Sequence, residues 1–220
     1  MPWKFTQIRE LCDTNHLPYP EAYLRSLSWQ HWKAYYHAQQ AQKVWDEFKA
    51  AHPHGEIGGS NEQWWEVYYA SAAETEATVQ VLHAEADIIA QIANRIILRG
   101  LVPERDVNLD SVLRKLKCQN RGPRVAAEIE TLRNSREFRY IDAFCNTIKH
   151  RRLINKQWHV EGGEGTRNKE DVRFLAFSYK RDNNFPITWA SDITGPYRER
   201  LGRYDEAIGD AIIDYLQSNP

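Results

Sequence analysis

One stretch decides the fold: residues 60–100 read SNEQWWEVYYASAAETEATVQVLHAEADIIAQIANRIILRG. Ser60, with Gln63 three residues later, matches a capping box, which marks a helix N-terminus. From there, apolar or small residues recur at steps of three and four, close to the heptad seam of packed helices. They are Trp65, Tyr68, Ala72, Thr75, Val79, Leu82, Ala86, Ile89, Ala93 and Ile96. We expect this helix to end at Gly100, ahead of Pro103.

A second long helix is predicted over residues 20–51. Its apolar or small residues recur at the same helical spacing, and His31 fills a gap in the stripe. They are Leu24, Leu27, Ala34, Ala38, Ala41, Trp45 and Phe48. Two long helices joined by a short loop form an antiparallel hairpin, the core of a helical bundle.

Shorter helices should follow the hairpin, and a small β insert should precede the last of them. Asp110 is the predicted N-cap of a helix that ends near Cys118, and Pro123 begins the next helix. Residues 156–192 are rich in β-branched and aromatic residues, and they predict a β-hairpin. In it, residues 172–179 form one strand, 182–184 a turn and 187–189 the returning strand. The final helix begins at 194–196. The predicted fold is therefore all-α, a helical bundle with an inserted β-hairpin, in a single domain over 1–220.

Composition narrows the class of protein. Hydrophobic residues make up 42% and charged residues 27%, which are ordinary values for a globular protein. No apolar run approaches the roughly 18–20 residues of a membrane span, and the N-terminus lacks the apolar segment of a signal peptide. Cys12, Cys118 and Cys145 are far apart and form no CxxC pair. We therefore expect a cytoplasmic protein with no membrane association, no metal site and no cofactor.

The charge distribution is uneven, although the net charge is only -1. Residues 111–156 contain 12 Lys or Arg and 4 Asp or Glu. Two interpretations stay open. The basic segment is either neutralised by the acidic remainder of the chain, or it forms a surface for phosphates.

Polar residues suited to chemistry collect on one predicted helix, which runs from Ser135 to about Leu153. Asn146 and His150 are four residues apart, and Asp142 lies one turn before Asn146, so the three share a face. The opposite face is apolar and is expected to face a core. That face consists of Phe138, Ile141, Cys145 and Ile148.

The functional interpretation assigns a role to each residue of the polar face. His150 would be the general acid or base, Asn146 would position the substrate and Asp142 would support it. Nearby cations would bind phosphate and offset its developing charge. These are Arg139, Lys149, Arg151 and Arg152. The structural alternative is that Asn146 and His150 are buried and hydrogen-bonded.

Two other groups of residues are candidate sites in the sequence. Five tryptophans would either stack nucleic-acid bases or fill the core. They are Trp29, Trp32, Trp45, Trp64 and Trp65. His83, Glu85 and Asp87 are close in sequence, but alternate positions do not share a helix face, so no metal site is expected there.

The helix from Ser135 to Leu153, with its Asn146-x-x-Lys149-His150 pattern, resembles the HEPN family (higher eukaryotes and prokaryotes nucleotide-binding). The resemblance implies an all-α, often dimeric domain, and many members are ribonucleases of toxin–antitoxin and defence systems. The family signature places an arginine four to six residues before a histidine. His150 matches the histidine and Asn146 the polar residue after the arginine, but Cys145 occupies the arginine position.

The function expected from the sequence is therefore a HEPN-like domain that binds RNA or a nucleotide through the face around His150. It would be a metal-independent ribonuclease if the site is catalytic. The alternatives are a non-catalytic module for dimerisation or for binding a protein partner, and a purely structural helical protein.

Overall fold

The computed structural model describes residues 3–52, 62–150, 153–161, 169–180 and 183–219. It is a mostly-α helical bundle in which 74% of the described residues are helical, and a small antiparallel sheet precedes the C-terminal helix. The fold class expected from the sequence is confirmed. The helices are α1 (Phe5–Thr14), α2 (Glu21–Ala51), α3 (Glu62–Ile96), α4 (Leu109–Gln119), α5 (Pro123–Asn134), α6 (Arg136–His150), α7 (Ala190–Asp192) and α8 (Arg198–Ser218).

The chain divides into two compact units, and the long helices contribute to both. Unit 1 comprises Met1–Trp32, Leu82–Arg139 and Glu199–Pro220. Unit 2 comprises Lys33–Val81 and Tyr140–Arg198. The expectation of a single domain over 1–220 stays a prediction.

The core of unit 1 is built from the apolar faces of its helices. Ile89 and Ile96 of α3 are fully buried, as the predicted stripe requires. Trp3 packs on α8 at Gly209, where an added Cβ would lie 3.1 Å from the indole ring. This glycine therefore lets the tryptophan approach the helix backbone closely.

Local sequence sets the start of α4 and α5 in unit 1. The N-cap of α4 is Asn108, whose side chain accepts a hydrogen bond from the backbone N–H of Ser111 in a capping box. The predicted cap at Asp110 is thus two residues too late, because Asn108 and Ser111 satisfy each other's backbone donors. Gly122 has a positive φ of 54°, and Pro123 occupies the first turn of α5, as predicted.

The core of unit 2 contains two aromatic clusters. Trp45 of α2 lies 4.1 Å from Trp158, centroid to centroid, and Trp64 of α3 contacts the same ring edge-on at 6.0 Å. In the second cluster, Tyr140 and Phe144 of α6 pack against Phe177. These ring contacts hold Trp158 and Phe177 of the β insert against the helices of unit 2.

The β insert differs in detail from the predicted hairpin. Its strands are β1 (Lys156–Glu161), β2 (Lys169–Phe174), β3 (Phe177–Tyr179), β4 (Asn183–Phe185) and β5 (Thr188–Trp189). Strands β1, β2 and β5 form one antiparallel sheet, in that order, and β3 pairs with β4 in a separate hairpin. Asn183 and Asn184, predicted as turn residues, lie in β4, where Phe185 stacks on Phe177 at 5.1 Å.

One predicted helix boundary needs correction, and one helix was missed. The last helical segment begins at Ala190 rather than at Thr194, and Pro196 lies within a π-helical stretch, Ile193–Tyr197. The helix α1 was not predicted from the sequence, and its Ile8 and Cys12 are buried. The predicted capping residue Ser60 lies outside the described residues.

Within the described part of the chain, no helix combines the length and apolar character that crossing a membrane requires.

Candidate functional site

The predicted polar face of α6 exists, and two of its members are bonded to each other. The side-chain nitrogen of Asn146 donates to the backbone oxygen of Asp142 at 2.9 Å and to its carboxylate Oδ1 at 2.8 Å. Because both amide hydrogens are directed at Asp142, Asn146 offers an acceptor oxygen rather than a donor. That polarity does not suit a group meant to hold a phosphate oxygen.

The opposite face of α6 is apolar as predicted, and of its four residues Ile148 is half-buried and the other three are buried. Ile141 and Cys145 are fully buried, and Phe138 is nearly so. The expected resemblance to the HEPN signature would place an arginine at the position of Cys145. Since this position faces the core, the residue there has no access to a substrate phosphate.

The basic residues of the predicted site lie at the C-terminal end of α6. Lys149 and His150 are exposed in the last turn, and Arg139 is exposed nearer the start of the helix. Arg151 and Arg152 lie outside the described residues. The hypothesis that His150 is buried and hydrogen-bonded is wrong, because the side chain is on the surface.

Part of the basic segment 111–156 is neutralised by acids elsewhere in the chain. In unit 1, Arg124 pairs with Asp214 and Arg133 pairs with Asp110. In unit 2, Lys156 Nζ lies 2.7 Å from Glu76 Oε1. The interpretation of neutralisation by acidic residues therefore applies to Arg124, Arg133 and Lys156. The interpretation of a phosphate-binding surface stays a prediction for the rest of the segment.

Other cations of the segment have no such acidic partner. The side chains of Arg139 and Lys149 are exposed, and neither forms an ion pair or a hydrogen bond with another described side chain. The exposed side chains of Arg139 and Lys149, and that of Arg136 in the first turn of α6, are therefore available to an external anion.

Unit 2 also contains an open aromatic groove that begins three residues after His150. Its volume is about 540 Å³. Residues 153–158 form one wall, and four aromatic residues of α3 form the other: Trp64, Trp65, Tyr68 and Tyr69. We call this feature the aromatic groove.

The four aromatic residues of α3 divide into core and surface. Trp64 and Tyr68 are each only 5% exposed, whereas Trp65 is 41% and Tyr69 57% exposed. The rings of Trp65 and Tyr69 stack with centroids 5.9 Å apart. Two flat apolar rings are therefore presented to solvent beside the groove.

Sequence reasoning found part of this groove. Trp64 and Trp65 were candidates for base stacking, and the structure assigns the first to the core and the second to the surface. Tyr68 and Tyr69 were not named as site residues. The signal that marks them is the doublet pattern Trp-Trp-x-x-Tyr-Tyr over 64–69, which places an aromatic residue on two adjacent helix stripes.

Neither α6 nor the aromatic groove offers a set of metal ligands. Among the described residues, three groups able to share a metal ion come together at one place, His31, Glu85 and Asp205 of unit 1. The rejected sequence cluster of His83, Glu85 and Asp87 therefore contributes one member to this different group.

No model of a known protein family, no curated protein and no solved structure matches this chain. The functional interpretation therefore depends on the residues themselves.

Proposed function

We propose that this protein binds single-stranded RNA in the cytoplasm through the aromatic groove and the basic end of α6. The observation that carries the proposal is the exposure of Trp65 and Tyr69 on one wall of an open groove. Sequence-tolerant binding of single strands combines aromatic rings, on which bases stack, with cations that follow the phosphate backbone. Unit 2 offers both.

The cations would come from the end of α6. Lys149 and His150 are exposed there, and the chain continues through Arg151 and Arg152 towards Leu153, which lines the groove. The negative end of the helix dipole opposes a phosphate at this position. The contact must therefore be made by side-chain cations, and binding should weaken steeply with salt.

Binding without cleavage is the form of the HEPN-like interpretation that the geometry supports best. The arginine of the signature is replaced by Cys145, which is buried. The donors of Asn146 are directed at Asp142. His150 would thus lack both the arginine of the signature and an amide donor from Asn146 to stabilise the charge that develops during cleavage.

The test is RNA binding by the purified chain, measured as fluorescence anisotropy of a labelled oligouridine at several salt concentrations. Trp65→Ala and Tyr69→Ala should each weaken binding about 5- to 150-fold, since stacking on one aromatic ring contributes roughly 1–3 kcal/mol per base. Lys149→Ala should reduce the salt dependence by about one phosphate contact. Incubation of the RNA without metal should yield no cleavage products.

Tyr36→Ala is the matched control, because Tyr36 is 42% exposed and does not line the groove. It should bind RNA like the wild type. Equal affinity of all the variants, or no binding by the wild type at low salt, would refute the proposal. Cleavage that disappears in His150→Ala would restore the ribonuclease interpretation.

A second candidate is binding of a protein partner or of a second copy of the chain. It is favoured by Trp29 and Trp32 of α2, which are 55% and 51% exposed and stack at 4.9 Å. Exposed tryptophans are enriched in protein interfaces. Light scattering after size exclusion would detect a homodimer, and Trp32→Ala should then shift it towards the monomer.

A further inference from the structure

Three ionisable side chains from three different helices of unit 1 meet at one point. His31 of α2 directs its Nε2 to within 3.0 Å of Asp205 Oδ2 on α8 and 3.6 Å of Glu85 Oε2 on α3. One ligand atom from each residue lies within 4.8 Å of the other two. Because each residue projects from a regular helix, the arrangement is set by the scaffold rather than by a loop.

The charges in this group do not balance. The side chains of Glu85 and Asp205 are both 4% exposed, and His31 is the one member that can carry positive charge. Two ionised carboxylates with one imidazolium leave a net negative charge, and a neutral imidazole leaves more. Buried charge is costly unless it is paired or coordinates a metal.

The ligand types and spacings suit a first-row divalent metal ion. One imidazole nitrogen and two carboxylate oxygens are ligands that Zn²⁺ takes at about 2.0–2.2 Å. Ligand atoms around such an ion lie roughly 3–3.5 Å apart, so the two distances from His31, at 3.0 and 3.6 Å, already fit, and the separation of the two carboxylate oxygens would close by less than roughly 2 Å. The imidazole is 20% exposed, which gives an ion a path from solvent.

We propose that His31, Glu85 and Asp205 form a binding site for a divalent transition-metal ion such as Zn²⁺ or Mn²⁺. Each residue supplies one ligand atom, and two carboxylates with a neutral imidazole offset the double positive charge of the ion. Water would complete the coordination, as it does in sites with three protein ligands.

The test is titration of the tag-free, full-length protein with ZnCl2 and with MnCl2 by isothermal calorimetry. We expect one ion per chain for both metals. His31→Gln, Glu85→Gln and Asp205→Asn keep the side-chain shape, and each should weaken binding at least about 10-fold, since changes even outside the direct ligands cost 10- to 100-fold. The metal should raise the melting temperature of the wild type and not of these variants.

His37→Gln is the matched control. His37 lies on the same helix and contacts a single carboxylate, with Nδ1 2.6 Å from Glu74 Oε2. This variant should bind metal like the wild type. The experiments use a Cys118→Ser background, because thiolates bind zinc and Cys118 is exposed.

A measurement on the wild type alone covers the case in which a variant fails to fold. Substoichiometric Mn²⁺ should broaden the side-chain NMR signals of His31 before those of His37. No binding of either metal, binding unchanged in all three variants, or equal broadening of the two histidines would each overturn the proposal.

Discussion

Asn146 and Asp142 form a closed pair on α6, in which the amide of Asn146 donates to both the carbonyl and the carboxylate of the residue one turn earlier. This pair gives Asn146 a structural role on the face that also presents His150. The pair therefore distinguishes Asn146, which stabilises the helix, from the residues of this face that are available to a ligand.

Asn146→Ala should therefore lower stability without weakening RNA binding. Loss of the hydrogen bonds to Asp142 should cost about 1 kcal/mol, measured by urea unfolding. Affinity for oligouridine should stay within about twofold, because the amide donors are not available to phosphate. Lys149→Ala should behave in the opposite way, with unchanged stability and weaker binding. A large loss of affinity in Asn146→Ala would return this residue to the binding site.

Trp64 and Trp65 are neighbours in sequence with opposite environments. Trp64 is 5% exposed and packs on Trp158, whereas Trp65 is 41% exposed. Trp64→Ala should lower the free energy of unfolding by about 3–5 kcal/mol, the range for removing a buried tryptophan. Trp65→Ala should cost much less and should act on RNA affinity instead. Chemical denaturation of both variants measures the difference, and similar losses would contradict the assigned environments.

The fold was largely predictable because its helices are long and amphipathic. The stripes of α2 and α3 extend over many turns, so the helical period is unambiguous even without a partner. Short elements gave weaker signals. The ten residues of α1 carry only two buried side chains, Ile8 and Cys12. The three-residue strand β4 begins with Asn183 and Asn184, which favour turns unless tertiary pairing overrides them.

The candidate sites differ in how well they could be predicted from the sequence. The polar face of α6 was predictable because Asp142, Asn146 and His150 are spaced by one turn of a single helix. The proposed metal group was not, because His31, Glu85 and Asp205 are brought together by packing of three helices far apart in sequence. In the sequence, His31 interrupts the apolar stripe of α2. Glu85 lies two residues after His83, which is on a different face of α3.

The three cysteines should differ in reactivity. Cys118 is exposed, whereas Cys12 and Cys145 are fully buried. Burial, with a smaller effect from Asp13, raises the pKa of the Cys12 thiol to about 11. Since the thiolate is the reactive form, one thiol should react quickly with an aromatic disulfide reagent in the native protein at pH 8, and three should react in denaturant. Cys118→Ser should abolish the fast phase. A fast phase that survives in this variant would show that a buried cysteine is accessible.

Asp171 should make the stability of the protein depend on pH in a direction opposite to that of most carboxylates. It is buried in β2, and its carboxylate accepts hydrogen bonds from the backbone N–H groups of Val172 at 2.7 Å and Ser191 at 2.8 Å. Burial nevertheless outweighs these bonds and raises the pKa of Asp171 above its ordinary value. The folded state therefore holds the proton more tightly than the unfolded state does.

The contribution of Asp171 to the free energy of unfolding is consequently fully present below its unfolded pKa of about 4. It is lost as pH rises through the higher pKa of the folded state. Asp171→Asn removes this titration and leaves the other groups unchanged. The stability of the wild type minus that of Asp171→Asn should therefore fall as pH increases from about 4 towards neutrality, as measured by urea unfolding across that range. A difference that rises with pH would mean that the two backbone donors outweigh burial, and that Asp171 is an ordinary ionised cap of the segment beginning at Ala190.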